Sequence, residues 1–251
     1  MESAITPPDE DERDFLAGYD PAAFERPSVT VDVAALSVHD GSLWALAIRR
    51  QEHPFKGQWA LPGGFIRLEE ALETAAERVL ARETGLQGIF LEQLYTFGAP
   101  ERDPRMRVIT VAYYALIDWN RLAARGGDLA PTPARLHVPW PGETGGPVEL
   151  REPEGYPLPL AFDHADVLGM AVKRIRGKLD YAPIGFQLLP PRFSLRQLQE
   201  VHETILDQPM NKDSFRRRML DSGQLEATGE REQNVDHRPA ELYRFVRRSA
   251  I

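Results

Sequence analysis

The sequence predicts an α/β domain built on a mixed sheet, followed by a smaller domain of two helices and a β-hairpin. The first observation is the alternation of Val29, Val31 and Val33 with polar residues, which is typical of a strand. The second is an apolar stripe at helical spacing within 69–84, which indicates one amphipathic helix. The third is a pair of capped helical segments after Arg192, followed by two short strand-like segments. Several strands arranged around one central helix imply a mixed sheet.

The composition allows a folded protein and excludes several classes. A chain of 251 residues can hold one large domain or two small ones, and 42% hydrophobic residues can form a core. The absence of cysteine excludes disulfides and cysteine-bound zinc, and fits a reducing compartment. No apolar run approaches the roughly 18 residues that span a bilayer, and the acidic N-terminus does not resemble a signal peptide. We therefore expect a cytoplasmic protein that does not bind membranes.

The formal net charge of −8 is unevenly distributed along the chain. Residues 1–191 carry a net charge of −9, whereas residues 192–251 carry +1. The overall negative charge argues against nonspecific nucleic-acid binding over the whole surface. The division indicates two domains with different partners.

The first domain is predicted to span 19–180. The preceding residues 1–18 are acidic and contain two consecutive prolines, so we expect a flexible arm. The segment SVTVDVAALSVHD forms the first strand and runs into a hairpin turn at Asp40-Gly41, after which LWALAIRR returns as the second strand. Further strands are predicted at 87–100 and 108–117, on either side of a charged loop.

Residues 125–159 are rich in proline and glycine. A structureless connection of this length is unusual inside a compact domain. We therefore predict an insertion or a lid-like loop, which could contain short strands at 134–138 and 147–151. A helix is predicted at 161–179 from its apolar spacing. Asp163-His164 at its start could indicate acid/base chemistry, but an N-terminal cap at Asp163 is the simpler interpretation.

The segment GGFIRLEEALETAAERVLARETGL, residues 63–86, carries the main motif of the first domain. Its members fall on the spacing G-x5-E-x7-R-x4-E-x-G, and they are Gly64, Glu70, Arg78, Glu83 and Gly85. This spacing resembles the Nudix box, the loop-helix-loop signature of Nudix hydrolases. The resemblance implies the Nudix α/β/α sandwich with a mixed sheet. The alternative is an ordinary amphipathic helix that ends at a glycine.

The box departs from the family pattern R-E-U-x-E-E-x-G-U, in which U is a bulky aliphatic residue. Val79 and Arg82 stand where the pattern has two of its three glutamates. In the family those glutamates hold Mg²⁺, and Glu83 beside a cationic Arg82 forms a poor Mg²⁺ site. A guanidinium could instead bind phosphate directly through its fork of donors. We predict no catalytic residue and no metal in this degenerate box, which comprises Glu70, Arg78, Val79, Arg82 and Glu83.

The sequence around the box resembles the branch of Nudix proteins that handles ADP-ribose. The matching segments are YDPAAFERPSVTVDV, RRQEHPFKGQWALPGGF and ERDPRMRVITVAYYAL. A dinucleotide-like ligand would need cations for its pyrophosphate and an aromatic ring for adenine. The predicted ligand-binding residues are Arg49, Arg50, Phe55, Lys56, Trp59, Gly63, Gly64, Arg82, Glu83, Arg102 and Arg105. Each group has an alternative interpretation. Arg49 and Arg50 could lie at an exposed strand end, Trp59 could be a core residue, and Arg102 and Arg105 could lie in a solvated loop.

The second domain is predicted at 193–251, after a linker at 181–192. Ser194 and Gln197 form a capping box at the start of its first helix. Asn211 caps a second helix that is rich in arginine, and two strands of a hairpin follow it. Two helices and a hairpin are typical of a winged helix-turn-helix, which binds duplex DNA. A small helical dimerisation module with a solvated arginine face is the alternative.

The second domain resembles the C-terminal domain of Nudix-related transcriptional regulators of NAD metabolism. The resemblance rests on FSLRQLQEVHETIL, NKDSFRRRML, TGE and HRPAELYRF. It implies a bacterial homodimer that represses NAD biosynthesis or salvage genes at a palindromic operator in the nucleoid. ADP-ribose or a related NAD metabolite would be the effector, with no cofactor required. The residues predicted to bind DNA are Asn211, Lys212, Ser214, Arg216, Arg217, Arg218, His237 and Arg238.

Two other functions stay open at this point. An ADP-ribose pyrophosphatase could use Glu70, Glu83 and a loop carboxylate to hold Mg²⁺, and such an enzyme could also be a DNA-binding regulator, with both functions in one protein. A metabolite-binding protein could use the second domain for dimerisation alone. The sequence determines neither the operator nor whether the effector releases or strengthens DNA binding.

Overall fold

The computed structural model describes residues 9–123, 131–179, 181–233 and 238–246. The helices of the first part are α1 (Glu10–Gly18), α2 (Leu72–Thr84), α3 (Trp119–Ala123) and α4 (His164–Lys178). Its strands are β1 (Ser28–His39), β2 (Ser42–Arg49), β3 (Trp59–Ala60), β4 (Gly63–Phe65), β5 (Phe90–Phe97), β6 (Val108–Leu116), β7 (Thr132–His137), β8 (Glu149–Arg151) and β9 (Pro157–Leu158). The second part contains β10 (Phe193–Ser194), α5 (Leu195–Leu206), α6 (Lys212–Asp221), β11 (Leu225–Arg231) and β12 (Glu241–Phe245).

The first part is built on one mixed sheet. Its strand order is β5-β6-β1-β2-β7-β8-β9, with β3 paired to β2 and β4 paired to β1. Strands β1 and β6 run parallel, whereas β1 and β2 form an antiparallel hairpin. Asp40 and Gly41 at the hairpin turn both have positive φ, at 46° and 63°, as a tight two-residue turn requires.

Successive side chains of β1 point to opposite faces of the sheet, and both faces are buried. Val31 and Val33 pack with Val79 and Leu80 of α2 on one face. The other face is covered by α4, whose apolar side chains pack against Ala34 and Leu36. Two helices on opposite faces of a mixed sheet form the α/β/α sandwich, which confirms the predicted fold class.

The segment 125–159 extends the sheet, as far as the structure describes it. Strands β7, β8 and β9 add to the edge of β2, and residues 140–148 pass along α4. Gly169 permits this close approach, because a Cβ there would lie 1.8 Å from the carbonyl oxygen of Gly146. The strands lie close to the expected positions 134–138 and 147–151.

The N-terminal arm is more ordered than we expected over its described part. Residues Glu10–Gly18 form α1, and Asp9 caps it by accepting a hydrogen bond from the Glu12 amide at 2.9 Å. Three acidic residues in the first turn favour the helix through its dipole. None of the side chains of α1 is buried.

The second part has the winged-helix arrangement that the sequence predicts. Helices α5 and α6 pack on a three-stranded sheet of order β10-β12-β11. Ser194 and Gln197 form the capping box, with the Ser194 amide 2.8 Å from Gln197 Oε1. Asn211 caps α6 by accepting from the Ser214 amide at 3.0 Å. The core comprises Phe193, Leu195, Leu198, Phe215 and Tyr243.

The two parts share a core at α5. Val201 and Ile205 on one side of this helix belong to the apolar cluster of the first part. The predicted linker at 181–192 contains a 3-10 helix at Pro183–Leu188, and its Ile184 and Leu188 are buried in the same cluster. Among the described residues, no helix is long and apolar enough to cross a membrane.

Candidate functional site

A cavity of about 270 Å³ lies on the face of the sheet that carries Asp32, next to the start of α4. Its walls come from β1, β2, β4, the loop at 102–105 and residues 162–164. Gly63 must lack a side chain here, because a Cβ would lie 2.2 Å from Asp32 Oδ1. The polar and aromatic side chains of the lining are Thr30, Asp32, Arg50, Glu52, Phe65, Arg102, Asp103, Arg105, Phe162 and His164.

A buried arginine forms the floor of this cavity. Arg102 donates to both oxygens of Asp163, at 2.8 and 2.7 Å, and to Asp32 Oδ2 at 3.4 Å. Burial lowers the pKa of Arg102, but its bonds to the two carboxylates raise that pKa above its ordinary value overall. Asp163 stands at the N-cap position of α4, as predicted, but its side chain makes no capping bond and is held by Arg102 instead.

His164 lies beside this ion-pair cluster and is buried. Its Nδ1 accepts a hydrogen bond from the Leu61 amide at 3.0 Å, and its Nε2 is 3.8 Å from Asp32 Oδ1. Burial is the main reason that the pKa of His164 is lowered from 6.5, in spite of the neighbouring Asp32 charge. The imidazole is therefore neutral at pH 7.

The lowered pKa of His164 predicts a loss of stability in mild acid. Between pH 6.5 and the lower folded pKa, the unfolded chain binds a proton that the folded chain does not. The free energy of unfolding should therefore fall with decreasing pH, by up to about 1.4 kcal/mol per pH unit. Denaturant unfolding at pH 7, 6 and 5 measures this slope. His164→Asn, which lacks the titration, should show a smaller slope, and equal slopes in the two proteins would contradict the prediction.

The rim of the cavity pairs guanidinium groups with aromatic rings. The Arg50 guanidinium lies 4.8 Å from the ring centre of Phe162, and the Arg105 guanidinium lies 5.8 Å from that of Phe65. Asp103 orients Arg105 by accepting two side-chain hydrogen bonds, at 3.0 and 2.8 Å. Phe65 remains 45% exposed. Such a rim can bind an anionic group and a flat ring together.

The carboxylates of the box are held by arginines. Glu70 accepts from Arg78 Nε at 2.8 Å and from the Arg67 amide at 2.7 Å. The Arg78 hydrogen bond is the largest cause that lowers the pKa of Glu70, to about 2. Arg82 donates to Glu83 Oε1 at 2.7 Å and to the Gly63 carbonyl oxygen at 3.3 Å. Each of these two carboxylates is thus hydrogen-bonded to a guanidinium through the oxygens that a metal ion would need as ligands.

Metal ligands do not converge here. Val79 is fully buried in the core rather than facing the cavity. Within the part of the chain that the structure describes, no group of three or more histidine, aspartate or glutamate residues is arranged to hold a metal ion.

A second concave surface lies in the winged helix. A cleft of about 850 Å³ runs between α5, α6 and the strands β11 and β12. Its cationic lining residues are Arg196, Lys212, Arg216, Arg231 and Arg238. Phe215 anchors α6 in the core, while the three consecutive arginines that follow it are exposed. The cleft also contains four acidic residues, Glu200, Glu203, Glu232 and Glu241, so its charge is mixed. The positive charge that a duplex-binding winged helix presents comes from the exposed arginines of α6 and from Arg238 of the hairpin.

Comparison with known proteins matches both parts of the chain. A model of the NrtR DNA-binding winged helix domain matches residues 185–245, and a NUDIX domain model matches residues 27–135. The ADPR responsive transcriptional repressor NtrR of Acinetobacter baylyi is 39% identical over 237 residues, which cover 94% of this chain and 88% of that protein. The chain belongs to the NrtR family.

The NrtR fold extends over both domains. The crystal structure of Shewanella oneidensis NrtR in complex with a 27mer DNA is 33% identical, with a TM-score of 0.70. The match covers 87% of this chain and 93% of that chain. A more limited relative is the ADP-ribose pyrophosphatase of Methanocaldococcus jannaschii, 33% identical over 123 residues, which cover 49% of this chain and 62% of that protein.

The structure brings together some of the predicted ligand-binding residues. Arg50, Gly63, Gly64, Arg102 and Arg105 line the cavity, although Arg102 is only 4% exposed and engaged by carboxylates. The others lie outside the lining, and they are Arg49, Phe55, Lys56, Trp59, Arg82 and Glu83.

Two of those residues have other environments. Trp59 packs against the core of the first domain, which agrees with the alternative interpretation of a core tryptophan. Phe55 reaches the cavity only indirectly, through an edge contact with Phe162 at 4.8 Å.

Sequence reasoning missed several groups that line the cavity, including Asp32, Phe65 and Phe162, and it did not assign His164 to the ligand site. Asp32 did offer a signal, because a charged residue inside an apolar strand needs a partner. The predicted DNA-binding residues other than His237 are exposed on α6, at its N-terminal cap or on the hairpin. His237 lies outside the described residues.

Proposed function

We propose that this chain is a transcriptional repressor that binds operator DNA through its winged helix and senses ADP-ribose, or a related NAD metabolite, through its first domain. One observation carries the proposal. A single chain of the NrtR family contains both a cavity rimmed by Arg–Phe pairs and a basic winged helix. The A. baylyi relative, named as an ADPR responsive repressor, supports the same effector. Genes of NAD biosynthesis or salvage are the proposed targets.

A homodimer and a palindromic operator complete this proposal. One winged helix reads one half-site, and two copies would read half-sites about 34–36 Å apart. The effector must bind one arrangement of the two DNA-binding domains better than the other, since equal affinity would shift nothing. We further propose that residues 19–180 form the effector domain and residues 193–251 the DNA-binding domain, with Val201 and Ile205 joining them.

The first domain is proposed to bind its nucleotide without cleaving it. Mg²⁺ requires free oxygen ligands, whereas Glu70 is paired with Arg78 and Glu83 with Arg82. Arg82 lies outside the cavity lining, but it donates to the carbonyl oxygen of the lining residue Gly63, and we propose that its positive charge attracts the phosphates of the nucleotide from there. No metal or cofactor is needed for this role.

One experiment tests the proposed function. Mobility shift with DNA from the chain's own promoter and from NAD-gene promoters, at one stated salt concentration and with or without ADP-ribose, measures both activities. Specific binding that ADP-ribose changes would support the repressor. The salt must be fixed because phosphate contacts make DNA affinity steeply salt-dependent. Absence of specific binding to any of these promoters would contradict the proposal.

A hydrolase is the second candidate, because the M. jannaschii relative is named an ADP-ribose pyrophosphatase and matches about half of this chain. Incubation of the unaltered protein with ADP-ribose and Mg²⁺, followed by detection of AMP and ribose 5-phosphate, tests it. Cleavage without specific DNA binding would favour the enzyme. Cleavage together with DNA binding would indicate a protein with both functions.

The role of Arg82 gives a further prediction. Arg82→Gln removes the charge beside Gly63, and ADP-ribose should then bind about tenfold more weakly, because a hydrogen bond to a charged group contributes about 1.5–3 kcal/mol. Calorimetric titration measures the affinity. Arg67→Gln is the matched control, since it removes a positive charge from the exposed loop before α2 and leaves the bond between Arg82 and Gly63 in place. Equal affinity of Arg82→Gln and the unaltered protein would contradict a phosphate-binding role.

A further inference from the structure

Helix α4 connects the effector cavity with the DNA-binding domain. It has 15 residues, His164–Lys178, and so is roughly 22 Å long at 1.5 Å per residue. Its N-terminal end lies at the cavity, and its C-terminal half contacts the end of α5.

The N-terminal end of α4 is tied to the cavity by three consecutive residues. The Phe162 ring lies beneath the Arg50 guanidinium, Asp163 holds Arg102, and His164 accepts from the Leu61 amide. Phe162 has a φ of 55°, in the left-handed region that a bulky aromatic residue rarely adopts. Strained backbone of this kind is retained where surrounding contacts demand it, and it is common in ligand clamps and switches. A ligand that contacts Phe162 therefore acts directly on the start of α4.

The C-terminal half of α4 carries a buried guanidinium. Arg176 is only 3% exposed, and its Nε donates to the Ile205 carbonyl oxygen at 2.7 Å. Its Nη1 donates to the carbonyl oxygens of Gly142 at 2.8 Å and Trp140 at 3.3 Å, and its guanidinium lies 5.1 Å from the centre of the Trp140 ring. One side chain thus holds α4, the segment at 140–142 and the end of α5 together.

The hydrogen bond from Arg176 to Ile205 reaches the DNA-binding domain at the C-terminal end of α5, shortly before α6 begins. Ile205 lies in the last turn of α5, where carbonyl groups have no partner within the helix. A cation there also interacts favourably with the helix dipole. The chain then turns through Asp207, which has a φ of 54°, and α6 begins at Lys212. Movement of the end of α5 would therefore reorient the recognition helix α6.

We infer that Arg176 is the positioning residue through which occupancy of the effector cavity changes the orientation of the winged helix. The inference rests on the function proposed above and names its means of regulation. The cavity acts on Phe162 and Asp163, α4 transmits the displacement as a rigid helix, and Arg176 carries it to Ile205. Arg176 touches neither ligand nor DNA in this scheme, so its loss should affect the coupling between the two sites rather than either affinity.

The matched pair Arg176→Met and Arg174→Met tests this inference in the full-length chain. Arg174 is on the same helix, but it donates to the Leu94 carbonyl oxygen at 2.7 Å within the first domain. For each protein, calorimetry gives the Kd for ADP-ribose, and fluorescence anisotropy gives the Kd for operator DNA without and with saturating ADP-ribose. The ratio of the two DNA constants is the coupling factor, which for allosteric proteins is commonly 5–150-fold.

We expect Arg176→Met to reduce the coupling factor to about 2 or less. Its Kd for ADP-ribose, and its Kd for operator DNA in the absence of ADP-ribose, should stay within about threefold of the values for the unaltered protein. Arg174→Met should keep the coupling factor of the unaltered protein. The inference is overturned if a folded Arg176→Met retains full coupling, or if Arg174→Met loses as much. Lack of any coupling in the unaltered protein would instead overturn the proposed function, and this inference with it.

A second measurement needs no variant and decides the matter if Arg176→Met does not fold. Hydrogen exchange is followed in the unaltered protein with and without ADP-ribose. Amides at the end of α5 and in the turn to α6, residues 205–211, should change their exchange rate at least about threefold. Unchanged exchange at 205–211, in a protein whose DNA affinity does respond to ADP-ribose, would overturn the inference.

Discussion

Replacing Arg216 and Arg217 with alanine should weaken operator binding by about 100-fold, because each arginine that contacts a base or phosphate contributes about 1–3 kcal/mol. Both side chains are exposed on α6, about 100° apart around the helix, so they extend along two directions from the same turn. Phe215 and the Asn211 cap hold the helix from its other side, and neither is altered. The fold and the affinity for ADP-ribose should therefore remain unchanged.

The control for this variant is Arg244→Ala. Arg244 is also an exposed arginine of the winged helix, but it is paired with Glu226 at the base of the hairpin, at 2.7 Å. Fluorescence anisotropy at one salt concentration gives the operator affinity, and sedimentation gives the oligomeric state. A double variant that binds DNA normally but no longer forms dimers would show that the second domain is a dimerisation module.

Arg102→Met should lower the free energy of unfolding by about 3–5 kcal/mol, since it leaves the buried Asp32 and the partly buried Asp163 without their cation. Arg102 has a side-chain exposure of only 4% and connects Asp32 of β1 with Asp163 before α4. Denaturant unfolding at pH 7 measures the change. The variant should also lose affinity for ADP-ribose, because the floor of the cavity is formed by this cluster.

A comparison with an exposed ion pair separates burial from charge. Arg151 is paired with Glu149, and the two side chains are 36% and 55% exposed, so Arg151→Met should cost no more than about 1 kcal/mol. Adding Asp163→Asn to Arg102→Met should recover part of the lost stability, because it removes one of the uncompensated charges. An effect of Arg102→Met no larger than that of Arg151→Met would show that the ion-pair cluster is not a major support of the fold.

Local patterns in the sequence were sufficient for the fold class and the family. Alternation along β1, the apolar stripe of α2 and the spacing from Gly64 to Gly85 are properties of neighbouring residues, and each element forms as its pattern predicts. The caps Ser194 and Asn211 likewise act within their own first turns, so they could be recognised without any tertiary information.

The composition of the site was decided by tertiary structure. Arg102 and Asp163 are 61 residues apart, and Asp32 is 70 residues from Arg102, so no sequence spacing relates them. Asp163 could be read as a helix cap because its local context is the same in either role. Whether it caps or forms an ion pair depends on which side chain the fold brings beside it.

The connection between the domains was decided in the same way. The amphipathic pattern of α5 predicts that the helix has a buried side, but it does not say that Val201 and Ile205 pack in the first domain while Leu195 and Leu198 pack in the second. Arg176 and Ile205 are 29 residues apart and are brought together only by the tertiary structure. Sequence by itself therefore determined the elements and the family. The pairing of distant charged and carbonyl groups followed from packing, because such groups are buried only where the assembled fold supplies their partners.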